Sequence, residues 1–93
     1  MGYALLDAAT DPATILDCGL VPVQATASAA ERLVAIAGAL DELIARHGPA
    51  VLALERLYLN KNARTAMRVA EAKGVAMLCA ARAGLVVAEY TPQ

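Results

Sequence analysis

Five consecutive apolar residues, Ala50-Val51-Leu52-Ala53-Leu54, sit between two stretches patterned as helices and run straight into a carboxylate, Glu55. A run that is apolar at every position suits a strand covered on both faces, the habit of a parallel strand inside a sheet. The flanking helical patterns agree, because parallel strands are joined by crossover helices. The run therefore commits the chain to an α/β arrangement. It also leaves an acid at the carboxyl end of a strand, where open α/β sheets collect their ligands. A carboxylate there costs free energy unless it is paired, hydrogen-bonded or used.

The rest of the chain fills in around that run. Tyr3 to Ala9 reads as a strand, Thr10-Asp11-Pro12 as a turn, and Ala13 to Val21 as a second strand, so the two form a hairpin closed by Pro22. Ser28 and Glu31 have capping-box spacing. Leu33, Ile36, Ala37, Leu40, Leu43, Ile44 and His47 then recur at helical spacing, with Arg32, Asp41, Glu42 and Arg46 on the opposite face. Gly48-Pro49 ends that helix. After a loop over residues 56–61, a second helix is predicted from Asn62 to Ala83. It carries a stripe of mostly small residues (Ala63, Ala66, Ala70, Gly74, Met77, Ala81) that suits either packing on the sheet or contact with another copy. Gly84 stops it, and Leu85 to Thr91 is a fourth strand. The predicted order is β-β-α-β-α-β, one domain over residues 1–93, with parallel pairing in the later half of a mixed sheet.

Hydrophobic residues make up 59% of the chain and mean hydropathy is +0.52, which first suggests a membrane protein. Twenty-three of the residues are alanine, however, and no apolar run approaches the roughly 18 residues needed to span a bilayer. No basic segment precedes an apolar stretch, so no signal peptide is expected. Cys18 and Cys79 fall in different elements without a CxxC pattern. Both are read as small buried hydrophobes, in keeping with a reducing cytoplasm. The net charge of −1 is unevenly spread. Residues 55–73 set Arg56, Lys61, Arg64, Arg68 and Lys73 against Glu55 and Glu71, a local +3, while the remainder carries −4. An anionic partner would therefore meet residues 55–73.

Arg56, Tyr58, Lys61, Asn62 and Arg64 follow Glu55 closely. Cations, amides and a ring are the side chains that meet phosphates and unstacked bases. Tyr58 also suits plain packing with a wet hydroxyl. Arg64 and Arg68, one helical turn apart, suit either a phosphate backbone or a solvated face. Glu55 alone is a poor magnesium site, since Mg²⁺ wants near-octahedral oxygen ligation and phosphodiester hydrolysis typically uses two ions about 3.5–4 Å apart. Asp7 and Asp17 are expected to face solvent from the hairpin. Asp11 sits at its tip, Glu71 pairs on its own helix, and Glu89 has a structural partner in the last strand. His47 is expected to act as a helix C-terminal charge or cap.

Ala53-Leu54-Glu55 through Lys61-Asn62-Ala63 resembles the second catalytic segment of RuvC-type Holliday junction resolvases. Gly2-Tyr3-Ala4-Leu5-Leu6 resembles that family's second strand, Glu31-Arg32-Leu33 the start of its first helix, Ala70 to Ala76 its long dimer helix, and Glu89-Tyr90-Thr91-Pro92 the exit of its fifth strand. The resemblance implies a ribonuclease H-like fold and a homodimer, here through residues 62–83. It implies Mg²⁺-dependent symmetric nicking of four-way DNA junctions and a branch-migration motor complex as a further partner. Glu55 matches a catalytic, metal-binding carboxylate; Arg56, Tyr58, Lys61, Asn62 and Arg64 match the DNA-contacting segment. The family's first carboxylate lies on a strand ahead of the Gly2-Tyr3 segment and its last acids on a C-terminal helix. Both are expected to be lacking here. That first strand would sit mid-sheet, so its absence would leave two sheet edges unpaired or closed on each other. The chain alone is then expected not to cut. A non-catalytic junction-binding or dimerisation module, and a purely structural assembly protein, are the alternatives.

Overall fold

Helix α1 (Ala29–His47) shows how directly local sequence sets the architecture. In this computed structural model, which describes residues 2–7, 9, 14–21, 26–55 and 63–91 (of residue 63 the backbone alone), the capping box forms as the spacing requires. Glu31 N–H donates to Ser28 Oγ at 3.1 Å and Ser28 N–H to Glu31 Oε1 at 3.2 Å. Two orphan backbone donors are thereby satisfied. The helix stops at Gly48, whose left-handed φ of 57° lets its N–H reach Ile44 O at 2.9 Å.

The order is β1 (Gly2–Asp7), β2 (Thr14–Leu20), α1, β3 (Val51–Glu55), α2 (Ala63–Arg82) and β4 (Val86–Tyr90). α2 ends in a Schellman turn. Leu85 N–H bonds Ala80 O at 2.9 Å and Gly84 N–H bonds Ala81 O at 3.1 Å, with Gly84 at φ 80°. Val86 N–H then donates to Ala50 O at 3.0 Å, which starts β4 alongside β3.

β1 and β2 are antiparallel with an irregularity between Leu5 and Leu6, and β3 and β4 are parallel from Val51↔Val86 to Glu55↔Tyr90. The mixed pairing expected is present, and the described strands form two two-stranded sheets. Every Cα–Cα distance between β1 and β3 exceeds 8 Å, against about 4.8 Å for bonded neighbours. The two inner edges thus stay unpaired, the first of the two outcomes that the family's strand order implied.

The core lies between the helices and the strands. Val21, Ile36, Leu40, Ala76, Cys79 and Ala80 are buried, with Tyr3, Leu33, Leu52, Leu54, Ala72 and Val75 packed partly against them. Tyr3 lies across Gly19, where an added Cβ would stand 3.1 Å from its hydroxyl, so glycine is what lets the ring lie flat on the hairpin. The opposite side of the strands is bare: Leu6, Ile15, Leu20, Val51, Val86 and Tyr90 are all exposed.

Two readings of single residues change, and the structure decides the face of α2. Cys18 is exposed and Cys79 buried, because Cys18 pairs with Ala4 at a level that turns both away from the helices. Asp17 is half-buried and lies 3.3 Å from His47 Nε2, tying the hairpin to the end of α1. On α2 the inward face is Ala72, Ala76, Cys79 and Ala80, so the stripe's Ala70, Gly74 and Ala81 turn outward. Among the described residues no helix is long and apolar enough to cross a membrane.

Candidate nucleic-acid interface

β3 alternates as a one-sided strand: Leu52 and Leu54 are half-buried toward the helices, while Val51, Ala53 and Glu55 are exposed. Glu55 therefore stands at the carboxyl end of the strand on its open side. It forms no ion pair with any described residue. In a parallel ladder, register partners project from the same face, so Tyr90 of β4 stands level with it.

The two residues line a cleft of about 830 Å³ that spans the gap between β1 and β3. Most of its lining is apolar, from Tyr3, Ala4 and Leu6 of β1, Leu52 and Leu54 of β3 and Ile36, Leu40, Ala72 and Ala76 of the helices. It also takes in Arg32, Thr65, Arg68 and Lys73. α2 supplies the last three because it starts beside the ends of β3 and β4 and runs back over them. Lys73 Nζ lies 2.8 Å from Glu89 Oε2, which gives Glu89 the structural partner expected of it and neutralises that lysine. Arg68 is exposed and has no ion pair among the described residues. Arg64 is exposed on the first turn of α2. Arg56, Tyr58, Lys61 and Asn62 lie outside the described residues.

Along this mostly apolar cleft stand the Glu55 carboxylate and the Arg68 guanidinium, neither with an ion pair among the described residues, with the Thr65 hydroxyl and the Tyr90 ring, the kinds of group that meet phosphates and bases. The cleft does not by itself suit a catalytic magnesium ion. Among the described residues no three His, Cys, Asp or Glu side chains come together in a metal-binding group, and Glu55 is the one acid of the cleft.

Sequence reasoning named Glu55 and, in the basic segment 55–73, Arg64, Arg68 and Lys73, but did not single out Arg32, Thr65 or Tyr90 as residues of this cleft. Arg32 was assigned to the solvated face of α1, and the structure places it half-buried at the cleft. The periodicity of α1 gives its faces only relative to one another, and a long side chain on the boundary reaches around.

A family model described as crossover junction endodeoxyribonuclease RuvC matches residues 1–93. The chain belongs to the RuvC family. A RuvC crossover junction endodeoxyribonuclease of Pelotomaculum thermopropionicum is 43% identical over 91 residues, 98% of this chain and 56% of that protein. One of Moorella thermoacetica is 43% identical over 94 residues, 99% of this chain and 55% of that protein. The chain spans about half the length of the curated relatives it matches. The structure of Thermus thermophilus RuvC in complex with a Holliday junction substrate superposes with a TM-score of 0.86 at 24% identity, over 98% of this chain and 57% of that one. A second Thermus thermophilus RuvC structure gives 0.76 at 28% identity, over 86% of this chain and 48% of that one. The fold is that of RuvC, the ribonuclease H-like arrangement the resemblance implied.

Proposed function

We propose that this chain engages four-way DNA junctions as part of a RuvC-type Holliday junction resolvase, with Glu55 as one carboxylate of the hydrolytic centre. The observation that supports this most is the placement of Glu55, exposed and without an ion pair among the described residues, at the end of a parallel strand in a cleft whose lining includes Arg68 and Tyr90. The remaining contacts to DNA come from Arg56, Tyr58, Lys61, Asn62 and Arg64. Phosphate contacts of this kind supply affinity and make it fall with salt.

Cleavage in the family reading needs Mg²⁺, for which Glu55 is the single candidate ligand in the cleft. Residues 1–93 are therefore expected to bind a junction without cutting it. Two measurements test the reading. Binding of a labelled four-way junction should exceed that of a duplex of equal length and weaken with salt. The triple alanine variant of Arg56, Lys61 and Arg64 should lose it, and salt-independent or absent binding removes the proposal. Symmetric nicking in Mg²⁺ by the 93-residue chain, abolished by Glu55→Gln, would instead show the centre to be complete.

The partner on the protein side is a second copy, seated on α2. Met67, Ala70, Gly74, Leu78 and Ala81 line up on its outward side, and a Cβ added at Gly74 meets nothing within 4 Å. Ala70→Leu with Gly74→Leu should turn a sedimenting dimer into monomer; an unchanged profile rejects this interface. A branch-migration motor complex is the further partner that the resemblance implies.

A further inference from the structure

β4 alternates at its end. Glu89 turns to the helix side, where Lys73 of α2 holds it at 2.8 Å, and Tyr90 turns to the other side beside Glu55. The ion pair fixes the direction of this last rung, so Tyr90 cannot rotate inward while Glu89 stays bound. The ring is left 55% exposed. It faces the same cleft as Thr65 and Arg68, about one strand spacing of 4.8 Å from the carboxylate's strand. A large ring held exposed at a cleft that also takes in a guanidinium and a carboxylate, neither with an ion pair among the described residues, is available to stack on a nucleotide.

We propose that Tyr90 is a nucleic-acid contact of this cleft, its ring stacking on a base of the bound junction. The inference rests on the junction-binding reading above and adds a residue to it. Stacking needs a π-face and no hydroxyl, and it releases no counterions. It therefore separates from the phosphate contacts in two ways: phenylalanine replaces it, and the salt slope is untouched.

The test uses the 93-residue chain and a four-way DNA junction carrying 2-aminopurine beside the crossover. Tyr90→Ala and Tyr90→Leu should each weaken binding about tenfold or more, abolish quenching of the 2-aminopurine, and leave the slope of log Kd against log salt unchanged. Tyr90→Phe should bind and quench as the parent does. Leucine keeps the bulk of a strand residue, so its result decides the matter if the alanine variant unfolds. Parent-like binding and quenching by Tyr90→Leu overturns the role of Tyr90 while leaving junction binding intact. A parent chain that does not bind the junction at all overturns both readings together.

Discussion

Glu31 illustrates how one residue ties pH to a helix. Its carboxylate accepts hydrogen bonds from Ser28, and this holds its pKa below the ordinary value of 4.5. A depressed carboxyl pKa contributes stability above the unfolded value and loses it as pH falls through the folded one. Helix content and melting temperature should therefore drop as pH falls below about 4.5, the ordinary carboxyl value, and Glu31→Gln should flatten that part of the profile. Ser28→Ala, which removes the reciprocal acceptor, should cost about 1 kcal/mol at neutral pH. The cysteines part in the same way. Burial pushes the Cys79 thiol pKa up, and the nearby Asp41 adds to the shift, whereas Cys18 is open. A disulfide-exchange reagent should titrate one thiol quickly and the second only on unfolding; two fast thiols would contradict the packing of α2. Glu55 was legible from sequence because an acid ending an apolar run stands out by chemistry alone. The exposure of Cys18 was not, because a strand's alternation says which residues share a face but not which face meets the core.

At the level of elements the signals were strongest where local chemistry is self-sufficient. Ser28 and Gly48 set both ends of α1 and Gly84 the C-terminal end of α2, and the observed caps match them. Strand ends shifted by a residue or two, since pairing partners decide them. The face of α2 was the weakest reading. Small residues occur all around this helix, and only the tertiary fit shows that Ala72, Ala76 and Ala80 turn inward. Gly74 follows from that fit. It is helical, faces open space and meets nothing within 4 Å of an added Cβ. Gly74→Ala should therefore stabilise the dilute monomer by roughly 0.5–1 kcal/mol, raising the melting temperature by several degrees. The same change should weaken self-association if two α2 helices meet there, so the sign of its effect should reverse with protein concentration. A melting temperature that is lower at every concentration would show that the residue packs inside one chain.

Across the whole molecule the governing feature is the gap between β1 and β3. The hairpin and the β3–β4 pair share no ladder, and each is only two strands wide. Two-stranded sheets are marginal in water, so each depends on what lies beneath it. β3 and β4 rest on α2, while the hairpin is secured by Val21, Tyr3 and the Asp17–His47 pair. Native-state amide exchange should be slowest in α1 and α2, intermediate in β3 and β4, and fastest in β1 and β2; equal protection throughout would mean the two halves unfold as one. Cooperativity then ends at the gap. Tyr3, Ala4 and Leu6 of the hairpin line the same cleft as Glu55 and Tyr90, so peeling of the hairpin would open that cleft while β3 and β4 stay seated on α2.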